Sequence, residues 1–331
     1  MLKTLKRTVR VESDTLNQWK YHVLKDVEEF QRNMVNEMID VILSEGLPTT
    51  RKKLHERFYN HYKEKYPFLP SRVIEGAYTV ASRIVKSFRE RMKRGLTRKD
   101  KPEYRRVMIT IPNTINWGFN KVSVSVLTHK GWVEIPLRIT KQFIHYLYEG
   151  WRVSQELKLR LVGRKVLVWL TFEKEVEVKT KDGNYISIDV NENNITVAVF
   201  ESYKLRELRR YETGLGKIVI NYSLRREEIT KGHSIKELIK KKLRKLKERE
   251  RKIDVLRKTV KRITDLARNL KAKVIVGKFS SKAKDRMEIG KDSRLRHRIH
   301  QWSVIKLVEM LKTQPIAVTE VSESYTSSLN L

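Results

Sequence analysis

Between residues 15 and about 94 the apolar positions recur in steps of three and four: Leu16, Trp19, Val23, Val27, Phe30, Met34, Met38, Val41 and Ile42 make one stripe. Interruptions at Gly46-Leu47-Pro48 and across 67–70 divide this stretch into three helices. The third, over 71–93, puts Val73, Ile74, Ala77, Val80, Ala81, Ile84, Val85 and Phe88 on one face and basic residues on the other. Ahead of all three, residues 2–11 alternate as a short strand and meet Ser13 and Asp14, residue types that cap a helix start. The texture then changes. Segments 107–111, 121–127, 132–139, 157–162 and 165–173 are β-branched or aromatic runs separated by Gly, Asn and Pro. Five such strands predict a small β-barrel, and because the first strand precedes the helices, the helical module is inserted into it.

The second half opens with a hairpin: strands over 185–189 and 195–200 flank the polar turn Asn191-Glu192-Asn193-Asn194, with a further short strand near 208–213. Helical periodicity returns over 224–270, followed by a strand at 273–276, a helix over about 295–311 and a last strand at 316–321. Strands alternating with helices after a hairpin predict an α/β sheet of mixed direction, of the ribonuclease H type. The expected layout is therefore a barrel with inserted helices (about 13–100) over residues 1–180, and an α/β domain over 181–331.

Composition narrows the function. The chain has 331 residues, enough for about two domains, and carries 72 Lys and Arg against 39 Asp and Glu, a net charge of +33. With 40% hydrophobic residues it is not a disordered polycation. A folded chain of this charge is expected to neutralise itself against a polyanion, and nucleic acid is the leading class. There is no cysteine, which excludes disulfides, thiolate catalysis and cysteine-based zinc sites. No run approaches 18 apolar residues and no signal peptide opens the chain, so the expectation is a soluble cytoplasmic, nucleoid-associated prokaryotic protein without a membrane partner.

Positive charge is densest over 231–270, where 16 Lys and Arg face 5 acids along a long amphipathic helix or helix pair. Lys240, Lys241, Lys242, Arg244 and Lys245 lie there. A solvated helical hairpin accounts for the periodicity, but a one-signed rod is better suited to gripping a phosphate backbone without reading bases. Asp189 ends an apolar strand and begins a polar turn. Such an Asp serves either as a turn residue or as one of several carboxylates that hold divalent ions for phosphodiester cleavage.

The segment Ile188-Asp189-Val190-Asn191-Glu192-Asn193-Asn194-Ile195 resembles the first RuvC motif of the TnpB (OrfB) family of transposon-encoded proteins. The basic helical insert, the strand Val274-Ile275-Val276-Gly277-Lys278-Phe279, a helix containing His300-Gln301-Trp302-Ser303, and Glu323-Ser324-Tyr325-Thr326-Ser327 follow in that family's order. The resemblance is clearest over 185–328; the first half resembles the family only in layout, a wedge-like barrel interrupted by a recognition helical module. It implies an RNA-guided, Mg²⁺-dependent DNA endonuclease whose partners are guide RNA and target DNA, with a RuvC (RNase H-like) domain carrying a basic helical insert. The Asp of the motif, here Asp189, then binds catalytic metal. Three departures from the family pattern bear on activity. Gly277 stands where the second motif has Glu, with Glu323 the candidate replacement and Glu320 next. The sequence stops at Leu331, ahead of the zinc ribbon and third-motif Asp, so weak ion binding, poor cleavage and no zinc are expected. Asn191 stands where Gly is common, a mild change because Asn tolerates turns.

Further basic candidates for nucleic acid are Arg83, Lys86 and Arg89 on the third helix, beside Arg91, Lys93 and Arg94, and Arg294, Arg296 and Arg298 around His297 and His300. The two histidines at i, i+3 suit a phosphate-facing basic turn better than a metal, since no third ligand is in view. Trp117, Trp132, Trp151 and Trp169 serve either as stacking platforms or as core. The readings to separate are a TnpB-like endonuclease, a nuclease-dead RNA-guided DNA-binding repressor, and a guide-free basic scaffold.

Overall fold

A computed structural model describes residues 1–97, 99–232, 235–278 and 303–322. The chain divides into two compact units, Lys6–Lys174 in one and Met1–Leu5 with Glu175–Leu331 in the other. Elements through the first unit are β1 (Leu2–Glu12), α1 (Gln18–Ser44), α2 (Arg51–Lys65), α3 (Ser71–Lys93), β2 (Ile109–Ile111), β3 (Trp117–Phe119), β4 (Ser123–Thr128), β5 (Gly131–Pro136), α4 (Lys141–Tyr148), β6 (Arg152–Val162) and β7 (Lys165–Glu177).

Helix α1 starts one turn later than the sequence suggests. Asn17, extended at φ −65°, ψ 165°, is the cap, its side chain accepting from the Lys20 N–H at 2.8 Å. Ser13 and Asp14 instead belong to the strands: the Ser13 N–H donates to the Val166 carbonyl, the Ser13 hydroxyl accepts from the Val166 N–H at 2.8 Å, and Asp14 pairs with Arg138 at 2.9 Å. The helices bury the predicted stripes except at Trp19, which is 51% exposed; Met34, Met38 and Ile42 of α1 pack in one core with Val73, Ile74 and Ala81 of α3, each large side chain contributing about 1.5–3 kcal/mol of transfer free energy. Gln31, fully buried, donates its amide to the carbonyls of Val73 and Thr110, both at 3.1 Å, and accepts from the Thr110 N–H at 2.9 Å, tying α1 to α3 and β2. Gly76 makes room for this approach, because a Cβ there would collide with the Thr110 carbonyl.

The strands that follow form two sheets, ordered β1-β7-β6-β2 and β3-β4-β5, linked by an isolated antiparallel bridge between Ser13 and Leu137. The sequence led to the expectation of one small barrel from these strands; the strands group into these two sheets joined at the bridge. Two elements were not anticipated. β3 has only three residues, and α4 buries only Phe143, so neither leaves a readable period.

The second unit contains β8 (Tyr185–Val190), β9 (Asn194–Glu201), β10 (Lys204–Glu212), α5 (Leu215–Lys231), α6 (Lys236–Lys245), α7 (Glu248–Asn269), β11 (Lys273–Gly277), α8 (Val304–Lys312) and β12 (Val318–Val321). Its five-stranded sheet is ordered β10-β9-β8-β11-β12; β8, β9 and β10 form an antiparallel meander, and β11 and β12 run parallel to β8 and to each other. Ile186, Ile188, Val197, Val199, Val274 and Val276 share one core with Leu256, Val260 and Ile263 of α7 and Leu307 and Leu311 of α8. The basic segment 231–270 is a helix pair broken at Lys247, which adopts the left-handed conformation at φ 52°.

Candidate metal-binding strand tips and nucleic-acid interface

Because β8, β11 and β12 are parallel, their C-terminal tips lie at one end of the sheet, with β8 in the centre. Strand alternation then sorts the side chains by face. Ile186 and Ile188 point to the helices, so Ser187 and Asp189 point the other way, and both are exposed. The register Val276↔Ile188 and Gly277↔Val321 sets Gly277 in the row beside Asp189, where it supplies no ligand atom. Glu320 pairs in register with Val276, which puts it on the helix-covered face opposite Asp189, and its carboxylate is held by Lys312 at 2.6 Å. Glu320 is thereby removed as a partner for Asp189, and Glu323 lies outside the described residues.

The turn after Asp189 is built from side chains. The Asn191 N–H donates to the Asn194 carbonyl at 3.0 Å, while its amide Nδ2 donates to Asp189 Oδ2 at 2.9 Å. Asn193 Oδ1 accepts from the N–H groups of Gly216 and Lys217 at 3.0 and 3.3 Å, fixing the first turn of α5 to the loop. Gly216 leaves the space that the Glu192 side chain occupies. Asn191 is thus a contact of the candidate carboxylate that sequence reading treated only as a tolerated turn residue; the Asp-x-Asn spacing on a tight turn was the available signal. Among the described residues no group of three His, Cys, Asp or Glu is arranged to hold a metal. A single carboxylate with one oxygen already bonded to an amide does not hold a pair of divalent ions, so these residues by themselves do not complete a two-metal centre.

The predicted cations fall into distinct environments. Lys240, Lys241, Arg244 and Lys245 are exposed on α6, which buries none of its residues, and make no ion pair with a described residue. The helix carries Glu237 as its single acid, so its surface is strongly one-signed. Where α7 begins, Glu248 binds Arg226 of α5 and, at 3.0 Å, Lys252, an acid well placed at a helix N-terminus. On α3, Lys86 is exposed, Arg83 pairs with Glu156 at 2.6 Å, and Arg89 donates to the carbonyls of Leu47 and Ile42 at 3.0 and 3.2 Å. Arg89 therefore secures the end of α1. Arg294, Arg296, Arg298, His297 and His300 lie outside the described residues. Of the tryptophans, Trp117 is buried and donates to the Gln155 carbonyl at 2.8 Å, Trp151 packs edge-on against Tyr146, and Trp132 is the one of these three that is largely exposed.

Residues 27–126 match the model of a family described as "Uncharacterized protein MJ0013 family". The chain is similar to "Uncharacterized protein MJ0857" of Methanocaldococcus jannaschii, 28% identical over an alignment of 247 residues, with 67% of this chain and 87% of that one covered. Among solved structures it is similar to a chain of a CRISPR-Cas12f ternary complex at 12% identity and TM-score 0.34, covering 93% of this chain and 72% of the other. A Cas12f1–sgRNA–target DNA complex gives 13% identity and TM-score 0.31 over 98% and 86%, and a Cas12i1 R-loop complex before target DNA cleavage gives 9% and 0.41 over 93% and 53%. No helix among the described residues is long and apolar enough to cross a membrane.

Proposed function

We propose that the protein is a TnpB-like RNA-guided DNA endonuclease, binding guide RNA and target DNA through its cationic surface, with Asp189 and Glu323 as the metal-binding carboxylates. The observation that carries this reading is the position of Asp189: an exposed carboxylate at the tip of the central strand of a mixed sheet ordered β10-β9-β8-β11-β12, where the resemblance to the first RuvC motif expects a metal-binding acid. The net charge of +33 and the exposed cations Lys240, Lys241, Arg244 and Lys245 of α6 support a polyanionic ligand. Mg²⁺, when bound, would supply an activated water and stabilise the leaving oxygen. Asp189 would hold the ion, and the Asn191 amide would fix the rotamer of that carboxylate.

A second reading, a nuclease-dead RNA-guided DNA-binding repressor, is favoured by one arrangement: Gly277 beside Asp189, with Glu320 on the opposite face and bound by Lys312. Purification with sequencing of bound RNA, followed by incubation with a guide-matched DNA duplex and Mg²⁺, separates the readings. Cutting that disappears in Asp189→Ala, with guide binding unchanged, is the expected result for the endonuclease. Guide-dependent DNA binding without cutting supports the repressor. Recovery of no defined RNA leaves only a guide-free basic scaffold. Cutting that survives Asp189→Ala refutes the role given to that carboxylate.

A further inference from the structure

Within the first unit a groove of about 530 Å³ opens between α3 and the segment that leads into β2. That volume falls within the range of about 300–1,000 Å³ typical of small-molecule sites. Its floor is apolar. Val80 and Ile84, one turn apart on α3, form one wall, and Met108 with the ring of Tyr104 forms the other. Tyr104 is fixed in place, its hydroxyl donating to the Met108 carbonyl at 2.9 Å and accepting from the Met108 N–H at 2.7 Å. The wall opposite α3 is therefore a pre-formed surface that pays little ordering entropy when a flat group packs on it.

The rim has the opposite chemistry. Arg83, Arg105, Arg106 and Lys158 line the same groove. Two carboxylates stand among them: Glu103 pairs with Arg105 at 2.7 Å, and Glu156 takes both Arg83 and Lys158, at 2.6 and 2.5 Å. Burial pushes the Glu156 carboxyl up, but hydrogen bonds and charge from Arg83 and Lys158 more than reverse this and hold it below the ordinary glutamate value. Glu156 is then ionised at neutral pH, and four cations face two anions. A guanidinium has five N–H donors and an ammonium three, so the partners of Glu156 keep donors for a second acceptor. Arg106 is exposed and makes no ion pair with a described residue.

A ligand for this groove needs a flat, weakly polar body and an anion next to it. A nucleotide carries both in one repeating unit, and the base stays available only where it is unstacked and unpaired. We infer that the groove seats one unpaired nucleotide of a nucleic-acid strand, its base between Ile84 and Met108 and its phosphate on Arg106. The inference rests on the nucleic-acid reading above and deepens it by naming where, and in what state, a strand is held. A duplex region does not fit, because its bases are stacked inside and only its phosphates reach the rim.

The test uses the full-length protein and short single strands, one RNA and one DNA, each with a single central 5-iodouracil, a base that crosslinks to neighbouring aromatic and sulfur side chains. Irradiation followed by peptide mass spectrometry is expected to place the adduct on Tyr104 or Met108. Arg106→Ala, at an exposed position, is expected to lower the slope of log affinity against log salt by about 0.7, the value for one phosphate contact on a single strand. A purely structural arginine would leave that slope unchanged. Adducts in either arm support the site, and a preference for one identifies the sugar of the bound strand. Strands that bind with an unchanged slope in Arg106→Ala and crosslink only elsewhere overturn the groove while leaving the nucleic-acid reading intact. Equal competition by inorganic polyphosphate overturns base recognition. Failure to bind either strand or a duplex overturns both.

Discussion

Gln31 shows how much one side chain can organise when every polar atom it carries is used. Its three hydrogen bonds reach Val73 and Thr110, 42 and 79 residues away, and all lie out of water. Replacing it by Leu removes the acceptor of the Thr110 N–H and a donor to the Thr110 and Val73 carbonyls, a cost of about 1–3 kcal/mol for each buried group that is left unsatisfied. Urea denaturation of Gln31→Leu should therefore show a clear drop in midpoint at an unchanged slope. Neither Gln31 nor its partner position Gly76 is legible in the sequence, because nothing local marks a residue whose contacts are made between helices. Glu156 gives a pH dependence with a definite sign. Its folded-state pKa is lowered, so its contribution to stability is present above the ordinary glutamate value and is lost as pH falls through the lower folded value. The stability difference between the wild type and Glu156→Gln, measured by denaturation across the acid range, should shrink over that window. Asp189 was legible by contrast, because an acid between an apolar strand and an Asn-rich turn is a local pattern; which face it takes, and that Glu320 takes the other, follows only from the register of three strands.

Among the elements, helices with broad buried faces were readable and short or unpartnered ones were not. α3 shows its stripe plainly because ten of its residues are buried. The sequence left 231–270 open as one long helix or a helix pair; the pair is what forms, and its break falls at Lys247, which adopts a left-handed conformation without the Gly or Asn that would mark the position. The consequence for α6 is measurable. Its ten residues bury no side chain, and an isolated helix shorter than about 12–15 residues is marginal in water. Amide hydrogen exchange should show α6 exchanging far faster than α7, whose Leu256, Val260, Ile263 and Ala267 are held in the core. Addition of a nucleic-acid ligand should slow the amides of α6 selectively. Slow exchange of α6 in the free protein would mean that it is covered.

For the molecule as a whole, charge was read from composition at once, whereas the full strand order of the sheets follows only from pairing between distant segments. Salt dependence tests the charge. If Lys240, Lys241, Arg244 and Lys245 each neutralise one phosphate of a duplex, replacing all four by Gln should lower the slope of log affinity against log salt by about 3–4, with circular dichroism unchanged. A slope that does not move places the duplex elsewhere. The first strand carries a different implication. Thr8 hydrogen-bonds to Thr171 at a separation of 163 residues, and Lys6 to Glu173 at 167. On a ribosome adding about 5–20 residues per second, the opening segment of the nascent chain waits about 8–30 s for its mate to emerge. During that interval α1, α2 and α3 are already outside the exit tunnel and free to assemble. Strand β1 is thus stitched in only after β7 emerges, later than the helices made between them, and its unpaired edge is the stretch that a nascent-chain chaperone would have to shield.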